Sequence, residues 1–154
     1  MAKQIETRLA AMGIVLPTPP EPVAAYIPFV RVGNMVHVSG QLPISSGAPL
    51  VGKLGDGADV TAGAAAARLC AINLIAQVRA ACGGDLDKLE RVVKLTGFVN
   101  CTPDFTDHPK VVNGASELFS EAFGDVGRHA RSAVGVSSLP FGALVEVEGI
   151  FAVR

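Results

Sequence analysis

Tryptophan is absent and tyrosine occurs once, and aromatic residues make up 5% of the 154-residue chain. Charged residues reach 18%, with 13 lysines and arginines against 14 aspartates and glutamates, and no basic run occurs. Binding to nucleic acid needs many phosphate contacts from cationic side chains, and single strands stack on aromatic rings. Both groups are scarce, so the composition argues against a nucleic-acid partner.

Long apolar runs are also missing. None approaches the roughly 18 residues that suggest a membrane helix. The first residues, "MAKQIETRLAAMGI", mix charges into an amphipathic pattern without the continuous apolar core of a secretory signal. We therefore expect a cytoplasmic protein that does not use a membrane.

The chain has few cysteines and histidines, three of each. Cys70, Cys82 and Cys101 form no C-x-x-C pair, so we expect reduced and mostly buried thiols. Cys101 follows a predicted strand and could alternatively be a reactive thiol. The histidines lack the spacing of metal ligands, and no metal site is predicted.

Hydrophobic residues make up 49% of the chain, which suits one domain with a core. We expect residues 1–23 to form a short helix and a proline-rich connector, and residues 24–154 to form a single domain. The apolar periodicity and the glycine and proline positions predict an order of elements. These are a helix at 3–12, strands at 28–32 and 35–40, a loop at 44–59, a helix at 62–82 capped by Thr61, a strand at 89–101 with Val93, Leu95, Gly97 and Val99 on one face, a helix from about 108 to Gly124, and two final strands.

This order predicts an α+β fold, in which two helices pack on one face of a mixed sheet of about five or six strands. The short N-terminal helix is additional. The other face of the sheet would expose much valine, leucine and isoleucine, more than a monomer usually shows. We therefore expect a homo-oligomer whose sheets pack together.

The stretch "RSAVGVSSLPFGALVEVEGIF", from Arg131 to Phe151, is predicted to form a hairpin that turns at Leu139–Gly142. Alternation places Arg131 on one face of the first strand, and Glu146 and Glu148 on one face of the second. A partly buried guanidinium needs an anionic partner. That partner is either one of these glutamates, in an internal salt bridge, or the carboxylate of a small acid on which a glutamate acts as a general acid/base.

Three segments of the chain resemble the Rid family, also called the YjgF or reactive-intermediate-deaminase family. They are "HVSGQLP" (37–43), "VVNGASELF" (111–119) and "ARSAVGVSSLPFGALVEVEGIFAV" (130–153). The resemblance covers about residues 24–154. It implies a chorismate-mutase-like fold, a homotrimer with ligand clefts between subunits, and hydrolysis of 2-aminoacrylate and related enamines or imines to 2-keto acids and ammonia without a cofactor.

The resemblance also implies roles for individual residues. Arg131 matches the arginine that binds the substrate carboxylate, and Glu146 matches the glutamate that activates or orients water. Tyr26 matches a tyrosine that closes the cleft, although it could instead be a packed aromatic.

Four further positions complete the expected site. Asn113 matches an asparagine in the family's helix, or makes a local contact to backbone. Ser39 and Gly40 line the ligand, and the main-chain N–H of Ala133 helps to hold the carboxylate. Glu148 is expected to be structural.

Several positions depart from the family pattern and indicate a divergent subgroup. Ala133 replaces a cysteine, Gly135 replaces a common glutamate, Ala24-Ala25 replaces Gly-Pro, and the loop at 44–59 is longer than usual. These changes leave a second hypothesis open, a non-catalytic protein of the same fold that binds small carboxylates. An endoribonuclease or translation-inhibitor role, a label that some relatives carry, is the least favoured.

Overall fold

The computed structural model describes residues 3–19, 21 and 25–154. The predicted domain boundary at residue 24, and the first alanine of Ala24-Ala25, lie outside these residues. The helices are α1 Gln4–Ala11, α2 Val60–Ala81 and α3 His108–Phe123. The strands are β1 Phe29–Val32, β2 Met35–Gln41, β3 Ile44–Ser45, β4 Ala48–Pro49, β5 Lys53–Leu54, β6 Gly57–Ala58, β7 Leu89–Asn100, β8 Ala130–Val136 and β9 Val145–Val153.

Five strands form the main sheet, in the order β1-β2-β9-β7-β8. β7 and β8 run parallel, and the other neighbours run antiparallel. Helices α2 and α3 cover one face, because their apolar stripes pack on β9, β7 and β8. The predicted α+β fold with two helices on a mixed sheet is confirmed. The predicted loop at 44–59 contains two short ladders, β3 with β4 and β5 with β6.

The predicted C-terminal hairpin is wrong. β8 and β9 do not pair, because β7 lies between them and bonds to both. The connection passes through a single turn of 3-10 helix at Pro140–Gly142, where the sequence has its turn residues. Turn residues predict a reversal of the chain but not which strand fills the space beside it.

The alternation predicted for β7 also fails at its start. Val92 and Leu95 are both fully buried under the helices. Val93, which was predicted to lie on the same face as Leu95, is only partly buried. The register between β7 and β9 shifts between Val92 and Lys94, which is a β-bulge. A bulge adds one residue to a strand and moves every earlier side chain to the opposite face.

Helix α2 begins at Val60, two residues earlier than a cap at Thr61 would place its start. Asp59 is the N-cap, and its Oδ1 accepts a hydrogen bond of 2.8 Å from the N–H of Ala62. The helix ends before Gly83, whose φ of 65° favours glycine. By length and composition alone α2 could cross a membrane, but half of its apolar window is buried inside the protein. Core packing therefore accounts for its composition.

The additional helix α1 is attached to the domain at both ends. The carboxylate of Asp87 accepts hydrogen bonds from the N–H groups of Gln4 and Ile5, and Leu9 is buried in the core. These bonds, first the one from Ile5, hold the pKa of Asp87 below its ordinary value. Asp87 therefore satisfies the free N–H groups at the start of α1.

Helices α2 and α3 approach each other closely at two glycines, Gly63 and Gly114. A Cβ atom on Gly114 of α3 would overlap the carbonyl oxygen of Ala64 in α2. On the facing helix, a Cβ on Gly63 would lie 3.0 Å from the side chain of Val111. This contact fixes the position of α3 over the edge of the sheet.

We predict that Gly114→Ala lowers the free energy of unfolding by about 1–3 kcal/mol, because the two helix backbones must separate. An alanine in an unobstructed helix would instead stabilise it by up to about 1 kcal/mol. Urea denaturation measures the change, with Ser120→Ala on the exposed side of α3 as the control. A Gly114→Ala variant as stable as the control would contradict the proposed close contact.

Candidate functional site

Arg131 lies on the edge strand β8 and points toward α3. It pairs with Leu95 of β7, which faces the helices, so the two side chains share that face. The Nη1 atom of Arg131 donates to Asn113 Oδ1 at 2.8 Å and to Ser116 Oγ at 3.1 Å. Its Nη2 atom donates to the carbonyl oxygen of Pro109 at 3.4 Å. The guanidinium is thus positioned by the first three turns of α3.

All three acceptors around Arg131 are neutral. Within the described part of the chain, the one ion pair joins Lys110 to Asp107 at 3.5 Å. The internal salt bridge considered for Arg131 is therefore not formed in this subunit. Burial lowers the pKa of Arg131, yet a guanidinium remains charged in proteins. The side chain is a half-buried cation that is oriented but not neutralised.

Ser116 accepts a hydrogen bond from Arg131 and is in turn hydrogen-bonded to His129. His129 Nδ1 lies 2.7 Å from the carbonyl oxygen of Gly127, and its Nε2 lies 2.9 Å from Ser116 Oγ. A carbonyl only accepts, so we assign the proton of the neutral ring to Nδ1, and Ser116 donates to Nε2. Burial, and then the charge of Arg131, lower the pKa of His129, although the bond to Gly127 acts the other way.

Ser116 and His129 were not among the residues predicted from the sequence. Ser116 lies three residues after Asn113 on α3 and therefore on the same helix face, a spacing that could have identified it. His129 precedes Arg131 by two residues, but its contact with α3 depends on the pairing of β8 with β7.

Asn113 accepts a hydrogen bond from the Arg131 side chain rather than contacting backbone, so the alternative interpretation of Asn113 as a local backbone contact is wrong.

Glu146 lies on the opposite face of the sheet. Val145 and Val147 of β9 are fully buried under the helices. Side chains alternate between the two faces along a strand, so Glu146 and Glu148 point away from the helices. Burial, and then the charge of Glu148, raise the pKa of Glu146. A Cβ atom on Gly40 would overlap the Glu146 carboxylate, so glycine at that position leaves room for it.

The segment that carries Tyr26 is attached to the same region through Ser39. Ser39 Oγ donates to the carbonyl oxygen of Ile27 at 3.1 Å, and its N–H donates to that of Pro28 at 2.8 Å. Tyr26 itself is 68% exposed. It is therefore not a packed aromatic within this subunit, and its ring is accessible to a ligand or to another chain.

The main chain of Ala133 is open to the edge of the sheet. The carbonyl oxygen of Val136 accepts from the N–H of Cys101, so even-numbered residues of β8 direct their backbone groups toward β7. Backbone groups alternate sides along a strand, and the N–H of Ala133 consequently points outward. Its side chain pairs with Gly97 on the helix face.

The predicted site residues therefore form two separate groups in one subunit. Arg131, Asn113 and Ala133 lie near α3 at the β8 edge, and Glu146, Gly40 and Ser39 lie at β9 and β2. Two strand spacings, about 9–10 Å, and the sheet itself separate the two groups. One chain alone thus does not bring Arg131 and Glu146 together.

Comparison with known proteins identifies close relatives over the whole chain. The family model described as YjgF/chorismate mutase-like, putative endoribonuclease, matches residues 6–153. The protein TCP17 of Trypanosoma cruzi is 49% identical over 149 residues, which cover 96% of this chain and 92% of that protein. The crystal structure of Atu1372 from Agrobacterium tumefaciens has 48% identity and a TM-score of 0.91, and the match covers 97% of this chain and 92% of that one.

A more distant relative has a name that refers to chemistry. It is the 2-iminobutanoate/2-iminopropanoate deaminase of Dermatophagoides farinae, 31% identical over 143 residues, which cover 92% of this chain and 95% of that protein.

The lowered pKa of His129 predicts a pH dependence of stability. The unfolded chain, in which the histidine titrates near 6.5, takes up the proton more readily than the folded protein, so acidification below that pH favours unfolding. We expect wild type to lose more unfolding free energy than His129→Gln between about pH 8 and pH 5, measured by urea denaturation. The exposed His37→Gln is the control, and parallel curves for wild type and His129→Gln would contradict the assignment.

Proposed function

Because the chain belongs to the YjgF/chorismate-mutase-like family, we propose that it hydrolyses small carboxylate-bearing enamines and imines of the 2-aminoacrylate type. The products are 2-keto acids and ammonia, and no cofactor takes part. Substrates of this class combine an anionic carboxylate with a C=N carbon that water can attack. The fold must therefore supply an anion site and a group that transfers protons.

The observation that carries the proposal is the un-neutralised charge of Arg131. Its guanidinium is held by Asn113, Ser116 and Pro109, and none of these groups offers a negative charge. A guanidinium binds a carboxylate through two parallel N–H groups. The outward N–H of Ala133 can donate to the same carboxylate at the edge of β8. Ala133 replaces the cysteine of the family, but a backbone contact survives that change.

Glu146 suits the proton transfers. The protonated carboxyl of Glu146 first gives its proton to the enamine carbon, which forms the iminium ion and leaves a carboxylate. Water then attacks the C=N carbon while this carboxylate accepts a proton from water. The carboxyl next gives that proton to the amino group, the C–N bond breaks as ammonia leaves, and the hydroxyl proton returns to Glu146 as the keto group forms. The raised pKa of Glu146 favours both roles, because the group must accept and release a proton near neutral pH.

The two groups of residues can meet only if a second subunit contributes. We propose a homotrimer in which Arg131 of one chain faces Glu146 of the next. The open face of the sheet supports this assembly, since Val30, Val32 and Val134 are 46%, 69% and 45% exposed there. Apolar surface of this kind is usually covered by another protein surface.

The second candidate is a protein that binds small carboxylates without turnover. It is favoured by the completeness of the Arg131 group within one subunit, whereas Glu146 lies on the other face. A ribonuclease, as the family description suggests, finds no support in a formal net charge of -1.

We predict that wild type accelerates ammonia release from 2-aminoacrylate generated by a pyridoxal-phosphate lyase. Arg131→Ala and Glu146→Gln should each lower this rate by about 100-fold or more, because they remove the carboxylate contact and the proton transfer. Arg128→Ala, an exposed arginine on the same segment, is the matched control. Keto-acid binding without any acceleration would instead establish the binding protein.

Mixed assemblies test the contribution of two chains. If each site takes Arg131 from one subunit and Glu146 from its neighbour, co-refolding equal amounts of Arg131→Ala and Glu146→Gln chains restores about a quarter of the wild-type rate. Refolding either variant alone restores none. The absence of recovery, with the trimer confirmed by sedimentation, would show that one chain supplies both residues.

A further inference from the structure

A cleft of about 470 Å³ opens on the same face of β8 as Arg131. It is centred on Gly135, which lies four residues after Arg131 and therefore about 13 Å along the strand. None of the residues expected from the family takes part in it. The side chains and backbone that matter here belong to Lys53, Cys101, Phe105, His108, Gly135 and Ser137.

A cysteine and a histidine meet in this cleft. Cys101 Sγ lies 3.4 Å from His108 Nε2, within hydrogen-bonding distance for sulfur. Cys101 follows the end of β7, where its N–H donates to the carbonyl oxygen of Val136, and His108 is the first residue of α3. The ring of Phe105 packs edge-on against the imidazole, with the centroids 5.4 Å apart. Two elements of the fold therefore hold the pair in place.

Gly135 makes the contact possible. A Cβ atom at this position would lie 2.6 Å from His108 Nε2 and 2.7 Å from Cys101 Sγ. Any side chain at Gly135 would consequently displace the pair or fill the cleft in front of it. The absence of a side chain at Gly135 leaves room for Cys101, a residue that is 8% exposed, at the cleft wall.

Lys53 adds a positive charge to the same cleft. Its Nζ atom donates to Asn100 Oδ1 and to the carbonyl oxygen of Ser137, both at 2.6 Å. These acceptors are neutral, and in the ranges that the structure describes no carboxylate lies within ion-pair distance of Lys53. An ammonium has three N–H donors, so one remains for an anionic ligand.

We propose that Cys101 is a nucleophilic thiol with His108 as its general base, in a cleft that takes small electrophilic carbonyl compounds whose anionic group binds Lys53. A thiolate is a soft nucleophile, and a nearby imidazole is the usual means of generating it. The geometry alone carries this assignment, and it is independent of the deaminase proposal because neither Arg131 nor Glu146 takes part.

The reaction with an α,β-unsaturated carboxylic compound balances without a further reagent. The Cys101 proton moves to His108 Nε2, and the sulfur electron pair forms a bond to the β-carbon. The π electrons move toward the carbonyl group, and the α-carbon takes the proton back from His108. The product is a thioether adduct, with nothing oxidised or reduced.

The other two cysteines serve as internal references. Cys70 and Cys82 are fully or almost fully buried, and burial raises the pKa of both thiols. We therefore expect the folded full-length protein to react at Cys101 at least about tenfold faster than at either of them. Peptide mass spectrometry after timed alkylation measures the three rates separately.

Two alkylating agents of similar size separate the roles of the base and the cation. Iodoacetate is anionic and iodoacetamide is neutral, and each transfers its carbon to sulfur with loss of iodide. We expect His108→Gln to slow both reactions by about tenfold or more. Lys53→Met should slow iodoacetate selectively, and Lys53→Arg should retain the preference for the anion. Lys110→Met, on an exposed lysine two residues from His108, is the control.

The outcomes are distinct. Selective labelling of Cys101 that depends on His108, with an anion preference that depends on Lys53, supports the proposal. Equal rates for the three cysteines, or a Cys101 rate unchanged in His108→Gln, would overturn the nucleophile–base assignment. An unchanged ratio of the two reagents in Lys53→Met would overturn the anion site. Circular dichroism and thermal melting confirm that each variant is folded before its rates are compared.

Discussion

The position of β7 between β8 and β9 is the constraint on which the candidate site depends. β7 pairs in parallel with β8 and antiparallel with β9. Residues that pair across neighbouring strands direct their side chains to the same face of the sheet, so each pairing with β7 determines which face a side chain of β8 or β9 occupies. Arg131 lies opposite Leu95 and must face the helices, whereas Glu146 lies opposite Phe98 and must face away from them. A side chain cannot reach the opposite face of its own sheet by changing its rotamer. The proposed hydrolysis, which uses both residues, therefore requires two chains.

Helix packing then determines how the arginine is presented. A half-buried cation is costly unless polar groups surround it. Here α3 supplies neutral acceptors from Asn113, Ser116 and Pro109, which orient the guanidinium without neutralising it. These acceptors reach Arg131 because α3 lies close to α2, at a contact that leaves no room for a side chain on Gly114. The proposed anion site of Arg131 therefore depends on the close packing of α3 on α2 at Gly114.

Local patterns were sufficient to predict α1, β1, β2, α2 and α3, because caps, glycines and apolar periodicity act within a few residues. They were insufficient where pairing across the sheet decides the outcome. The hairpin was wrong since β7 displaces β9 from β8, and Val93 was assigned to the wrong face because a bulge follows from register with β9. The link from His129 to Ser116 depends on the same long-range pairing. Arg131 and Asn113 were identified through resemblance, and the structure shows that they are in contact.

Gly135 lies at the wall of the cleft that holds the Cys101–His108 pair. The resemblance noted in the sequence implies that a glutamate is common at this position, and a side chain there would enter the space in which Cys101 and His108 meet. It would also place a carboxylate in the cleft that Lys53 lines, where it could neutralise the ammonium. Glycine at this position therefore avoids both a steric and an electrostatic obstacle. The proposed Cys101–His108 site thus depends on Gly135, because a side chain there would have to displace the thiol and the imidazole from this geometry.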